Sequence, residues 1–295
     1  MTTIIDLHFL GLRKAIAAFL HKMPNGQLVL IETGPFATLN RLESQIKQAG
    51  YQIEDIKQVF LTHIHLDHAG AAWYFAQQGA TIYVHPAGFA HLQDPSKLMN
   101  SARRIYKEHT DALWGSVEPI ASERLQIVQH GQKIAFDDTQ IVAWHTPGHA
   151  VHHIAWQIGD ALFAGDVAGV RINGGIPVPP CPPPDIQVQD WLESIELIQG
   201  LSLKTLYLTH FGAIDDVNFH LNELRDNLLK WATWMKPYAE QNADMQTITP
   251  LFADFVREYL SQKGVQGDDI DRYEAANPAW MSVAGLMRYW KTKAV

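Results

Sequence analysis

Val59-Phe60-Leu61-Thr62-His63-Ile64-His65-Leu66-Asp67-His68 is the stretch on which the reading of this chain turns. It opens with VFLT at 59–62, a short apolar run of the kind that fills a buried strand. Three imidazoles and a carboxylate, all good ligands for first-row metals, then fall within six residues. The cluster is therefore expected in the loop at the strand's carboxy-terminal end. If the chain stays extended there, His63 and His65 point to the same side. A turn through Leu66 then aims Asp67 and His68 at a second point, so one segment can supply two metals. Burying these four groups without a metal would be costly.

Four ligands this close in sequence serve a single ion poorly, and three further candidates stand in similar places. His149 lies in TPGHAVHH after the apolar run 139–145, Asp166 in FAGD after 161–164, and His210 in YLTH after 205–209. Ligands gathered at the ends of several strands are how a rigid scaffold holds a preorganised site. His85, His91, His109, His130 and His220 are read as surface or satisfied core residues, outside the site. His152 is read as a supporting or surface residue. Arg171 and Asn173, just after Asp166, either bind an anionic group of the substrate or, through the arginine, make a salt bridge.

These pieces resemble the metallo-β-lactamase superfamily. HxHxDH is present as HIHLDH, followed in order by the histidine of the TPGH turn, the aspartate of GD and a last histidine, across about residues 1–215. The resemblance implies an α+β fold, an αββα sandwich with its site at one edge of two sheets. It also implies that His63, His65 and His149 hold one metal, that Asp67, His68 and His210 hold a second, and that Asp166 bridges them. The expected cofactor is two divalent metal ions, with Zn2+ the default for a histidine-rich site without thiolates and Fe or Mn as alternatives. A bound metal lowers the pKa of water to about 7, which makes hydroxide available near neutrality. The implied activity is hydrolysis of a small ester, thioester or lactone, with Asp67 catalytic, orienting the hydroxide or accepting its proton.

Other branches supply the alternatives, namely a mononuclear iron enzyme like persulfide dioxygenase, and a phosphodiesterase or nuclease. The flavo-diiron proteins fit less well, because their motif has a glutamate where His65 stands. Two departures from the superfamily pattern affect the ligands' surroundings. Ile31-Glu32-Thr33-Gly34 stands where many members have an aspartate before Thr-Gly, and Gly148-His149-Ala150 replaces GHT. His153 occupies a position that is histidine in the thioester-cleaving glyoxalase II branch.

Outward from the cluster, runs at 3–9, 14–21 and 27–32 read as a strand meander, 37–49 as a helix stopped by Gly50, and 69–78 as a second helix. Residues 81–84 read as a strand and 96–109 as a polar-faced helix. Further strands are expected at 125–129, 139–145, 153–158, 161–164 and 205–209, with a helix near 189–199. That order suggests two sheets packed together and flanked by helices. IPVPPCPPPD, 176–185, has six prolines in ten residues and must be a stiff, extended loop, either an inert connection or a wall of the substrate cleft. Amphipathic helices follow at 217–236, 248–262 and 278–291. Residues 1–215 are thus expected to form the metallo-β-lactamase-fold domain and 216–295 a carboxy-terminal helical extension, which caps a pocket or pairs with a second copy as a homodimer.

The 295 residues, 47% hydrophobic and 18% charged, suffice for one large domain with or without an extension. Lys and Arg number 23 against 31 Asp and Glu, a formal net charge of -8, so the cationic excess that binds phosphate backbones is missing and no nucleic acid partner is expected. The expected partner is a small-molecule substrate. Cys181, the sole cysteine, cannot form an intramolecular disulfide, which fits the cytoplasm. Asp6, His8, Arg13 and Lys14 interrupt the apolar amino-terminal stretches, leaving neither a signal core nor a membrane span.

Overall fold

The computed structural model describes residues 1–293, so the last two residues of the expected extension lie outside the described residues. A first six-stranded sheet carries, in spatial order, β1 (Thr2–Asp6), β2 (Ala17–Lys22), β3 (Leu28–Ile31), β4 (Ile56–Phe60), β5 (Thr81–Val84) and β6 (Leu125–Ile127). The first three strands form the expected antiparallel meander, and β3 to β6 run parallel. Parallel neighbours need crossover connections. Those connections contain α1 (Leu39–Gln48), α2 (Leu66–Ala69), α3 (Ala72–Gln77), α4 (Pro86–Gln93), α5 (Ser96–Tyr106) and α6 (Thr110–Trp114).

The second sheet, also six-stranded, holds β7 (Lys133–Phe136), β8 (Thr139–His145), β9 (Ile154–Ile158), β10 (Ala161–Phe163), β11 (Thr205–Leu208) and β12 (Gly212–Ile214) in consecutive order. Only β10 and β11 are parallel, and α7 (Val188–Gln199) lies in the connection between them. The chain then continues as α8 (Val217–Glu240), α9 (Met245–Gln262), α10 (Asp268–Ala276) and α11 (Ala279–Lys293). No helix among the described residues is long and apolar enough to cross a membrane.

Three apolar layers follow from strand alternation, which sends successive side chains to opposite faces. Phe19, Ile31, Phe60, Ile141, Ile154, Trp156 and Phe163 fill the space between the sheets. On β3, Leu28 and Leu30 point the other way, joining Leu42, Ile46 and Phe75 from the flanking helices. On the far side, Leu162, Leu206 and Leu208 meet Trp191 of α7 and Leu224, Phe252 and Leu286 of the carboxy-terminal helices. Both faces of the central strands are therefore buried, which is why they read in sequence as continuous apolar runs rather than alternating ones. The result is the helix–sheet–sheet–helix sandwich, with the extension sharing the second sheet's outer core.

Several expectations shift in detail. β1 stops at Asp6, because His8 and Leu10 take left-handed backbone angles in a tight turn. The strand before the histidine cluster ends at Phe60, so Leu61 and Thr62 already belong to the loop. The helix read at 69–78 is two short helices, α2 and α3, broken at Gly70 and Ala71. That at 96–109 ends at Tyr106 and continues only as a tight turn. Arg171 takes the salt-bridge alternative: its guanidinium pairs with Asp216 at 2.6 and 3.0 Å.

Candidate metal centre

Thr62 to His68 leave β4 at its carboxy-terminal end and are pinned on both sides. Ile154 N donates to Thr62 O at 2.7 Å, tying the loop to the second sheet, and Thr62 N donates to Glu32 Oε1 at 3.3 Å. His65 then caps α2, its carbonyl accepting from His68 N at 3.0 Å. The expected turn through Leu66 is therefore a helical one. Extended backbone up to His65 and helical backbone after it give the two pairs of ligands different directions.

The structure brings all seven candidates together. His63 Nε2 lies 2.9 Å from His65 Nδ1, and His149 Nε2 lies 3.1 Å from that same atom. Asp166 divides its carboxylate. Oδ2 is 3.3 Å from His149 Nε2, while Oδ1 is 3.3 Å from His68 Nε2 and 3.4 Å from His210 Nε2. Asp67 Oδ2 completes the second group, 3.4 Å from His210 Nε2 and 3.6 Å from His68 Nε2. In three sets the ligand atoms all lie within 4.8 Å of one another: His63, His65 and His149; His63, His68 and Asp166; Asp67, His68 and His210. His68 Nε2, His210 Nε2 and Asp166 Oδ1 are buried without a hydrogen-bond partner. Buried polar atoms of native proteins rarely go unpaired, and a cation held at each focus would supply what these lack. The donor set thus fits two divalent ions.

For His63, His149 and His210 the opposite edge of the ring is fixed by the scaffold, which decides the nitrogen left for a ligand role. His149 Nδ1 donates to Pro180 O at 2.8 Å and His210 Nδ1 to Ala15 O at 2.7 Å, so each ring when neutral presents a bare Nε2 inward. His63 Nδ1 sits 3.0 Å from Thr62 Oγ1, and His68 Nδ1 lies 3.3 Å from Glu32 Oε1. The His149 turn also rests on Gly148, whose φ of +131° and approach to Trp191 leave no room for a side chain: a Cβ would lie 2.3 Å from Trp191 Cα.

Electrostatics divide the cluster. Burial, reinforced by neighbouring imidazoles, holds His63 well below the usual histidine value and lowers His65 to about 3, keeping both neutral, as ligands must be. Burial also opposes charge on His68, but Asp166, Asp67 and Glu32 outweigh it and raise that residue well above the ordinary value. For Asp166, burial favours the neutral acid, yet His68, His210 and His149 hold it well below the carboxylate range. Asp67 is lowered to about 2, burial being overcome chiefly by His68 and His210. Two ionised carboxylates therefore face the histidines, and Asp67 and His65 form the cluster's partly open side.

Other sequence expectations fall into place around this centre. His152 is buried with its ring 5.7 Å from that of His65, and its Nδ1 has no partner. His153 is fully buried but turns to Thr146 Oγ1 at 2.8 Å and accepts weakly from Val167 N at 3.4 Å, outside the ligand set. His220 is a core residue outside the site that donates through Nε2 to Ala168 O at 2.7 Å, while its Nδ1 is buried without a partner. Asn173 engages Lys14 and Asp269. Two contributors escaped the sequence reading, the carbonyls of Ala15 and Pro180, because a backbone oxygen has no signature in the residue type that carries it.

Comparison with known proteins agrees with this geometry. Residues 16–210 match the family model described as the metallo-beta-lactamase superfamily. The metallo-beta-lactamase fold-containing protein ST1585 of Sulfurisphaera tokodaii is 26% identical over 166 residues, covering 55% of this chain and 63% of that protein. The atrochrysone carboxyl ACP thioesterase of Aspergillus fumigatus is 25% identical over 164 residues, covering 55% of this chain but 40% of that enzyme. The chain thus spans less than two thirds of the length of either curated relative. Among solved structures, the metallo-beta-lactamase family protein TTHA1429 of Thermus thermophilus superposes over 99% of this chain and 94% of its own, with a TM-score of 0.67 at 19% identity. At that identity the likeness concerns the fold, including the carboxy-terminal helices.

Proposed function

The chain belongs to the metallo-β-lactamase superfamily of metallohydrolases, and from that membership we propose that it cleaves a small ester, thioester or lactone at a dinuclear centre, with zinc the favoured metal. The observation that carries this reading is the divided carboxylate of Asp166, one oxygen facing His149 and the other facing His68 and His210. His63, His65 and His149 would hold one ion, Asp67, His68 and His210 the other. When bound, such a pair supplies Lewis acidity and lowers the pKa of water from 15.7 to about 7.

The chain's own residues supply positioning. Asp67 is ionised and partly open, so its carboxylate can accept a hydrogen bond from the attacking water and take up the proton that is lost. His63, His149 and His210 are buried and fixed from behind by Thr62, Pro180 and Ala15, so they need no reorganisation during the reaction. The open side at His65 and Asp67 is where a substrate carbonyl would approach. Within the substrate class, a thioester is favoured by the likeness to the fungal ACP thioesterase.

Purified protein supplied with zinc and assayed against a panel of thioesters, esters and lactones tests this directly. Turnover of one class, reduced by about 10²-fold or more in Asp67→Asn and His63→Ala, is the expected outcome. No turnover of any class, or turnover indifferent to both substitutions, would contradict it. Thiol-dependent oxygen uptake with one iron per chain would instead indicate the dioxygenase alternative.

A further inference from the structure

The proline segment has an unusual hydrogen-bonding problem. Six of the residues from 176 to 185 lack an N–H, so the segment exposes many carbonyls and can pair few of them in a ladder. One isolated bridge, Val170 with Val178, is all the regular pairing it makes among the described residues. Most of its other partners come from the carboxy-terminal helices. Tyr273 Oη donates to Ile176 O at 2.8 Å, Asn227 Nδ2 to Pro177 O at 2.7 Å, Asn277 Nδ2 to Pro179 O at 3.2 Å, and Arg288 Nε to Pro184 O at 3.2 Å. Cys181 N donates to Ser282 Oγ at 3.3 Å, and that hydroxyl donates onward to Asn277 Oδ1 at 3.0 Å.

Between the two anchors at Pro179 and Cys181 stands Pro180, whose carbonyl accepts from His149 Nδ1. α11 presses on the same spot. Gly285 is so close to Cys181 that an added Cβ would meet its carbonyl oxygen at 2.0 Å. Asn277, Ser282 and Tyr273 are all buried. Fixing the outer edge of a ligand histidine sets both its tautomer and its aim.

We propose that the carboxy-terminal helices are a clamp for the metal ligand His149, in which Asn277 and Ser282 grip Pro179 and Cys181 and so hold the Pro180 carbonyl against the imidazole. They are positioning residues, acting on the centre through the backbone rather than by touching substrate. The affinity and geometry of the three-histidine half of the centre then depend on the Asn277 and Ser282 grip, while His210 in the other half is aimed by the Ala15 carbonyl. The consequence for cations rests on the proposed metal site; the alignment of the ring does not.

Two readouts on the full chain separate those statements. Cobalt(II) titration with a competing chelator is expected to show two binding events, one of them weakened about 10–100-fold in Ser282→Ala and Asn277→Ala, with altered visible absorption bands. Trp290→Phe provides the control, since Trp290, like Ser282 on α11, donates through Nε1 to Ala232 O of α8 at 2.7 Å and not to the proline segment. It is expected to cost stability and leave both affinities unchanged. Proton–nitrogen spectra of the histidine rings, recorded without cations, are expected to show a protected His149 Nδ1–H resonance that is lost or shifted in Ser282→Ala and Asn277→Ala alone. Wild-type affinities and an unmoved His149 resonance in both Ser282→Ala and Asn277→Ala would overturn the clamp, as would an equal effect of Trp290→Phe. If wild-type protein binds no cobalt, the metal reading falls, and the ring resonance alone decides the clamp.

Discussion

At the scale of single residues, Glu32 shows how the chain departs from its superfamily and still serves the centre. The sequence left open whether a side chain one methylene longer than aspartate reaches a ligand histidine. Fully buried, it does, with Oε1 3.3 Å from His68 Nδ1 and accepting from Thr62 N. Its backbone takes a φ of +64°, a left-handed conformation that a non-glycine residue adopts only when its surroundings impose it. Glu32→Gln keeps the shape but removes the charge facing His68, and is expected to weaken cation binding about 10–100-fold. Competition titration against a chelator checks this, and an unchanged affinity would show that Glu32 only supports the loop. The seven candidate ligands were legible because each lies in a loop that follows an apolar run, which puts them near strand ends, and because they occur in an ordered set. What aims them was not, since it is done by the carbonyls of Ala15 and Pro180, from parts of the chain 195 and 31 residues away from the rings they hold.

At the scale of elements, the site depends on the two sheets keeping their relative position. Trp156 of β9 lies between them, with its ring 5.0 Å from that of Phe60, and its Nε1 donates to Leu61 O at 3.0 Å, one residue beyond β4. The same indole thus fills the inter-sheet core and fixes the start of the histidine loop. Trp156→Phe would leave the Leu61 carbonyl buried and unpaired as well as opening space. A loss of roughly 1–3 kcal/mol in unfolding free energy is expected from the unpaired group alone, read by denaturant titration. A variant as stable as the wild type would show that the indole hydrogen bond is dispensable. Long periodic elements were readable from sequence, but β7, β12, α4 and α10 were not. β7 and β12 are short strands at one sheet's two edges, where β7 keeps only Phe136 buried and β12 begins at a glycine. Each is too short for an alternation to stand out in the sequence. α4 is capped by His85, whose Nδ1 accepts from Ala87 N, instead of by the serine, threonine or aspartate that usually marks a helix start.

For the whole molecule, the order of strands and helices pointed to two flanked sheets, and the helical character of the tail was also apparent. Where the tail packs was not, because amphipathic periodicity shows that a face must be covered without saying by what. In the structure the apolar faces of α8, α9 and α11 join α7 over the second sheet, and the polar groups of the tail reach the proline segment. Folding of the tail and alignment of His149 are thereby one problem, with strand ends supplying the ligands and the tail holding one of them in place. The claim on which the rest depends is that these seven side chains form a two-cation site bridged by Asp166. Metal content per chain, measured after equilibration with zinc and removal of the excess, tests it most directly when wild type is set beside Asp166→Ala and His65→Ala. Two zinc ions per wild-type chain, with fewer retained in both variants, is the predicted result; a wild type that retains none, or variants that retain as much as it does, would contradict the account.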